Sequence, residues 1–251
     1  MKKIAIITGA SRGLGRNTAL NLSKKGFDVI LTYNSKQEEA AEVVALIEKD
    51  GNQAYALKLN VADSKSFPQF AQDVKGILQK KWNRSDFDFL INNAGIGLYA
   101  SIMETTEEMF DQLMNIHLKG VFFLTQKLLP IMKDGGRIIN ISTGLARFAL
   151  PGYAAYASMK GGIETLTRYM AKELGPRKIS VNVVAPGAIE TDFGGGTVRD
   201  NAQLNAHIAS QTALGRVGLP DDIGPLIASL LTEETRWVNA QRIEASGGMF
   251  L

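Results

Sequence analysis

Tyr156 and Lys160 stand four residues apart in the run Tyr156-Ala157-Ser158-Met159-Lys160. On a helix that spacing puts both side chains on one face. A phenol with an ordinary pKa of about 10 is a poor base at neutral pH, and a neighbouring ammonium favours its ionised form. The pair therefore suits the gift or removal of one proton at a polar reacting atom. Ser142 and Thr143 follow the apolar run Arg137-Ile138-Ile139-Asn140-Ile141 and add two hydroxyls. An exposed i,i+4 pair with no chemistry would show the same spacing, so the rest of the chain has to decide.

A second cluster is Thr8-Gly9-Ala10-Ser11-Arg12-Gly13-Leu14-Gly15, directly after Ile4-Ala5-Ile6-Ile7. Glycines after a strand permit a tight turn, let backbone approach a pyrophosphate and let the next helix pack close to the sheet. The helix N-terminus then offers N–H groups and a positive dipole end to phosphates. Two other readings compete. Gly95-Ile96-Gly97-Leu98-Tyr99-Ala100 fits G-x-G-x-x-A, but the phosphate loop belongs at the first strand-to-helix turn. Gly9-Ala10-Ser11-Arg12-Gly13 also fits a G-x-S-x-G nucleophile elbow, with Asp192 and His207 in the order a serine hydrolase needs. That reading leaves Gly15, Tyr156 and Lys160 without a purpose.

Elements that would position these residues are legible in the periodicity. Short β-branched runs at Ile4–Ile7, Val29–Tyr33, Ala54–Leu59, Phe87–Ile91, Arg137–Ile141 and Ile179–Val184 predict strands, with a weaker seventh near Arg242–Glu244. Amphipathic stretches lie between them, such as Glu38–Lys49 with Ala41, Val44, Ala45 and Glu48 at helical spacing. The alternation predicts an α/β fold: a single doubly wound, parallel, Rossmann-like sheet of about seven strands, covered by helices on both faces. No linker or repeat divides residues 1–251, so one domain is expected. In such a sheet ligands sit beyond the carboxyl ends of the strands, where the strand order reverses.

Taken together, the motifs resemble those of the short-chain dehydrogenase/reductase family, including members similar to 3-oxoacyl-ACP reductases. Thr8 to Gly15 resembles its TGxxxGxG, Asn92-Asn93-Ala94-Gly95 its NNAG, Asn115 its helix asparagine and Tyr156 to Lys160 its YxxxK. Pro186-Gly187 stands where the family has PG, and Gly247-Gly248 echoes the usual end. One departure is clear. The family serine thirteen residues before the tyrosine falls on Thr143 here, and Ser142, one residue earlier, would face away along a strand.

The resemblance implies hydride transfer between a nicotinamide and a carbonyl or alcohol, with Tyr156 as general acid and base. It implies that Lys160 bonds the nicotinamide ribose, that Thr143 orients the carbonyl with Ser142 as fallback, and that Asn115 holds a water relaying protons to Lys160. Cofactor contacts are expected from Gly9, Ser11, Arg12, Gly13, Leu14 and Gly15, from Tyr33, Asn34 and Ser35, and from Asn60 and Val61. Asn93, Ala94, Gly95, Tyr156, Lys160, Pro186, Gly187, Ile189 and Thr191 complete that set. Seven residues past Gly26 the chain has Tyr33 in place of the acidic residue usual for NAD, and Arg12 is placed to meet a 2′-phosphate. NADP(H) is therefore favoured, with NAD(H) possible.

Ile96, Leu145, Tyr153, Ile189 and Phe193 are expected around a mostly apolar substrate, with a glycine-rich lid over 188–216. His207 reads as a lid or surface residue and His117 as a structural residue of its helix. Family members commonly form tetramers, which would use the helices around Glu107–Met132 and Gly152–Leu174. Composition adds exclusions. The chain has no cysteine and two histidines, which removes thiolate chemistry and argues against a metal site. Its net charge of +3 gathers only at Lys24/Lys25 and Lys80/Lys81, too sparse a pattern for nucleic acid. No apolar run is long enough to span a bilayer and the first residues lack a signal-type segment, so a cytoplasmic protein is expected. A non-catalytic dinucleotide-binding protein on the same scaffold is the alternative that Thr143 leaves open.

Overall fold

The computed structural model describes residues 2–251. Its elements in chain order are β1 (Ile4–Ile7), α1 (Gly13–Lys24), β2 (Asp28–Tyr33), α2 (Gln37–Lys49), β3 (Ala54–Lys58), α3 (Phe67–Trp82) and β4 (Phe87–Asn92). They continue with α4 (Glu107–Met114), α5 (Gly120–Leu128), β5 (Met132–Ile141), α6 (Ala154–Glu173), β6 (Ser180–Pro186), α7 (Thr197–Asp200), α8 (Ala202–Ser210), α9 (Pro220–Ser229) and β7 (Arg242–Ala245). All seven strands pair in parallel in the order β3-β2-β1-β4-β5-β6-β7.

Alternation along the strands feeds two cores. Ala5, Ile7, Val29, Leu31, Phe89, Ile91, Ile139 and Val184 pack on one face beneath α1, α2 and α9. Ile4, Ile6, Ile30, Leu90, Ile138 and Val181 point to the other, beneath α3, α5 and α6. Burial on both faces explains why these strands are apolar runs lacking polar alternation. The order reverses between β1 and β4, which opens a crevice at their carboxyl ends.

Two local expectations change. The buried stripe of α2 is Ala40, Val43 and Ile47, while Ala41, Ala45 and Glu48 are exposed. Spacings of three and four starting at Ala40 collect the bulkier side chains, and packing selects that face. β5 begins at Met132, five residues before the expected start, because Met132 pairs with Phe87 before the register shifts at Phe89 and Arg137. Gly135 takes φ +78 there, and a Cβ on Gly136 would lie 2.5 Å from the Asp88 carbonyl oxygen.

Candidate active site

The loop after β1 packs backbone against backbone. A Cβ on Gly15 would sit 2.3 Å from the Gly9 carbonyl oxygen and 2.6 Å from Asn93 Nδ2, and Gly9 itself has φ +63. Only glycine lets the start of α1 close on the loop this tightly. Asn93 Nδ2 donates to the carbonyls of Thr8 (2.9 Å) and Gly9 (3.0 Å), and Thr8 Oγ1 accepts from the amides of Asn93 (2.9 Å) and Ala94 (3.0 Å). The loops after β1 and β4 are thus clamped together. No side chain caps the first turn of α1, so its N–H groups stay available to an anion. This cradle fits the pyrophosphate of a dinucleotide.

The other expected contacts lie around the same edge of the sheet. Ser11 is buried, Leu14 is half-buried, and Gly13 approaches Thr191. Arg12 is exposed, with NH1 3.8 Å from Asp192 Oδ2. Tyr33 closes β2 half-buried, and Asn34 and Ser35 are exposed just beyond it. Asn60 Oδ1 accepts from the Ala62 amide, and the Val61 carbonyl packs at Gly120. Pro186 ends β6 and Gly187 follows it, and Thr191 Oγ1 accepts from the Phe193 amide. Ile189 is half-buried, bridges Gly218 and packs against the core beneath α9.

Tyr156 and Lys160 are both buried on α6, at 7% and 5% exposure, with Lys160 Nζ 5.7 Å from the phenol ring centre. Nζ donates to the Ile141 carbonyl at 2.7 Å, which ties α6 to the end of β5. Burial without a carboxylate partner pushes the ammonium down to about 7. Burial drives the Tyr156 phenol well above its ordinary value, partly offset by the Thr143 hydroxyl facing it. The phenol is therefore protonated at neutral pH and ready to donate.

Ser142 and Thr143 separate as strand geometry requires. Ser142 Oγ donates to Glu164 Oε1 at 2.7 Å, away from the phenol. Glu164 also accepts from Arg242 Nε at 2.7 Å, and Arg242 NH2 donates to the Thr143 carbonyl at 3.2 Å. Arg147 joins the network by a two-pronged bond to Glu244 and by donating to the carbonyls of Met249 and Phe250. Thr143 is thus tied to Arg242, 99 positions downstream, which short motifs did not reveal.

The expected helix asparagine, Asn115, stands between α4 and α5. Between α4 and α5 the backbone widens into a π turn, Asn115–Lys119, closed by the Gly120 amide donating to the Asn115 carbonyl. Side chains two apart point to nearly opposite sides there. His117 takes the inward position, 1% exposed, with its ring edge-on to Tyr156 at 5.1 Å between centres. Asn115 is half-exposed and makes no side-chain hydrogen bond to Tyr156 or Lys160. The imidazole was readable as the third residue before Gly120, but its face depends on the π turn.

An apolar cleft of about 300 Å³ opens beside this centre, lined by Ile102, Met103, Leu145, Leu150 and Tyr153 among others. Tyr99 stacks edge-on against Tyr153 (5.4 Å), and Phe193 leans on Tyr156 (5.9 Å). Ile96 and Leu145 pack around Tyr156. Among the described residues no group of acidic and histidine side chains is arranged to hold a metal, and no helix is long and apolar enough to cross a membrane. The hydrolase alternative does not assemble. Asp192 is engaged by Arg199 at 2.6 Å, and His207 lies exposed on α8. Gly97 of the competing glycine motif packs against Phe193, and no helix follows it until α4.

A family model described as enoyl-(acyl carrier protein) reductase matches residues 9–250. A trihydroxynaphthalene reductase of Pestalotiopsis fici is 36% identical over 98% of this chain and 88% of its own. The reductase LugOII, which catalyses keto-reduction at C1 during lugdunomycin biosynthesis, superposes with a TM-score of 0.94 at 36% identity, covering 99% of this chain and 98% of the other. The landomycin C-6 ketoreductase LanV, solved with bound NADP and rabelomycin, superposes with a TM-score of 0.90 at 37% identity, covering 99% and 96%. The chain belongs to the short-chain dehydrogenase/reductase family. It is an NAD(P)-dependent oxidoreductase of that class.

Proposed function

We propose that this protein is an NADP(H)-dependent ketoreductase acting on a flat, mostly apolar aromatic carbonyl compound. The observation that carries the reading is the buried Tyr156 phenol beside Thr143 and Lys160, next to Leu145, which also lines an apolar cleft. When bound, the nicotinamide supplies hydride to the carbonyl carbon. Thr143 accepts the role of holding the carbonyl oxygen against Tyr156, which gives it a proton. The Lys160 ammonium stabilises the phenolate that this leaves. Lys160 also bonds the ribose, as family resemblance implies, and the uncapped start of α1 takes the pyrophosphate. An intact acid–base pair makes the non-catalytic reading the weaker one.

Arg12 and the missing acidic residue at Tyr33 support NADP(H), as does the NADP in LanV. Replacing Arg12 with alanine should weaken NADPH binding roughly 10- to 100-fold, the worth of a charge-assisted bond, and leave NADH within about twofold. Nicotinamide fluorescence titration reads both, and an equal loss for the two cofactors would remove the 2′-phosphate assignment. The aromatic walls Tyr99, Tyr153 and Phe193, with the ring substrates named for the relatives, support a fused-ring ketone over a linear 3-oxoacyl thioester. Segment 188–216, which carries Phe193, would cap it. NADPH oxidation with a naphthalenone and with a short 3-oxoacyl thioester compares the classes. Faster turnover of the thioester would end the aromatic reading and leave the reductase.

Phe110, Phe122, Phe123 and Tyr169 are exposed on α4, α5 and α6, an apolar face of the kind subunits bury. We infer a homo-oligomer, a tetramer by family resemblance, working in the cytoplasm. Sedimentation should give an oligomer that Phe122→Glu with Phe123→Glu dissociates to smaller species. A wild-type monomer at micromolar concentration would contradict this, as membrane fractionation would contradict the location.

A further inference from the structure

In the proposed reduction Thr143 and Tyr156 meet one carbonyl oxygen, yet they stand on different elements, the turn after β5 and helix α6. Lys160 joins α6 to the Ile141 carbonyl, two residues short of Thr143. Beyond that point the link passes through Glu164 and Arg242. Tyr156, Lys160 and Glu164 follow one another at steps of four, so Glu164 continues the same face of α6 by one turn. Its Oε1 accepts from both Ser142 Oγ and Arg242 Nε, each at 2.7 Å. Arg242 reaches across from β7 with all three nitrogens engaged. Nε donates to Glu164, NH1 to Glu244 Oε2 at 2.7 Å, and NH2 to the Thr143 carbonyl at 3.2 Å. A guanidinium is a rigid planar fork, so bonds to two of these acceptors fix where the third must lie. Glu244 is held in turn by the two-pronged bond from Arg147, four residues after Thr143 in the same loop.

We propose that Arg242 is a positioning residue of the reduction: its guanidinium, seated on Glu164, holds the Thr143 backbone at a set distance from α6, so that the Thr143 hydroxyl and the Tyr156 phenol converge on one carbonyl oxygen. This rests on the ketoreductase reading above. A pair that merely fastened β7 to α6 would need the bond to Glu164 alone. The further contact, to the carbonyl of the residue that carries the orienting hydroxyl, gives Arg242 a task in the reaction. Its side chain is 24% exposed and that of Glu164 14%, so water competes weakly for these charge-assisted bonds and their geometry is kept.

Arg242→Lys keeps the charge and a carboxylate partner but cannot span three acceptors. In the full-length protein it should lower kcat roughly 10- to 100-fold, the cost of a misplaced orienting group, and leave NADPH binding within about twofold. Thr143→Ala should lower kcat by a similar factor. Adding Arg242→Lys to it should cost less than about twofold more, because both changes act through one hydroxyl. A fastening that only stabilises the fold would lower the melting temperature and exact its cost in both backgrounds. Either single variant within about twofold of wild-type kcat, or losses that multiply in the double variant, would overturn the proposal. Should Arg242→Lys fail to fold, Glu164→Gln, equal in shape, replaces it in the cycle, with a smaller loss that again vanishes beside Thr143→Ala. Methyl NMR of carbon-13 threonine is independent of turnover. The Thr143 signal, identified by its loss in Thr143→Ala, should shift or broaden in Arg242→Lys, while that of Thr106 at the start of α4 holds its place. An unmoved Thr143 signal would also overturn the proposal. If the wild type bound NADPH and reduced no ketone, the ketoreductase reading would fail, while the methyl signal would still report whether Arg242 sets Thr143.

Discussion

Tyr156→Phe should lower kcat for ketone reduction by about a thousandfold, within the range a positioned general acid supplies. The change removes one oxygen from a side chain that is otherwise packed by His117, Phe193, Leu113 and Met159. Ring packing survives, so NADPH should bind within about threefold of wild type. The phenol is held above its ordinary pKa by burial and is fully protonated at neutral pH, so wild type always has the proton to give. No neighbouring group replaces it. Thr143 Oγ1 already accepts from the Leu145 amide, and Ser142 is committed to Glu164. Single-turnover rates with bound NADPH check the expectation, and a variant within tenfold of wild type would sink the assignment of Tyr156.

Lys160→Met should separate catalysis from stability. Loss of the ammonium removes the charge that steadies the phenolate and the donor proposed for the ribose, so turnover should fall by about a thousandfold or more and NADPH binding should weaken. Stability should move the other way. A lysine whose pKa falls from its ordinary 10.5 to about 7 on burial binds fewer protons folded than unfolded between those values. Wild-type stability therefore rises with pH from about 7 towards 10.5, and the charging penalty is fully present below pH 7. Methionine carries no such penalty. The variant should melt roughly 5 °C or more above wild type at about pH 6.5, and the gap should narrow as pH rises through 9. The lost bond from Nζ to the Ile141 carbonyl opposes this gain but is a single hydrogen bond. Reduction by wild type should fall as pH rises through about 7, where the ammonium is lost. Thermal melts and pH–rate profiles read both, and a less stable variant at pH 6.5 would show that Lys160 is held by more than the site reveals.

Arg242 and Arg147 show how the active site extends beyond its motifs. They link Thr143, Glu164 and Glu244 to the carbonyls of Met249 and Phe250. The Arg147 bond holds the Glu244 carboxyl down to about 2, so the network stays charged across the working pH range. Its members sit far apart in sequence with no spacing that marks them as partners.

What the chain determined by itself is local. Apolar runs of strand length, glycines at Gly9, Gly13 and Gly15, and the four-residue step from Tyr156 to Lys160 each act through backbone geometry over a few residues, so they can be read without knowing the fold. The separation of Ser142 from Thr143 also followed from strand alternation. Tertiary structure decided what depends on a neighbouring element. Packing chose the Ala40-Val43-Ile47 face of α2 and set the half-buried Ile189 against the core. The π turn, set where Gly120 closes on the carbonyls of Asn115 and Val61, faces the His117 ring inward against Tyr156. That turn joins α4, whose Leu113 packs with Tyr156 and Met159 of α6, to α5, whose Leu124 and Leu128 pack beneath the sheet, and the local sequence does not contain those partners.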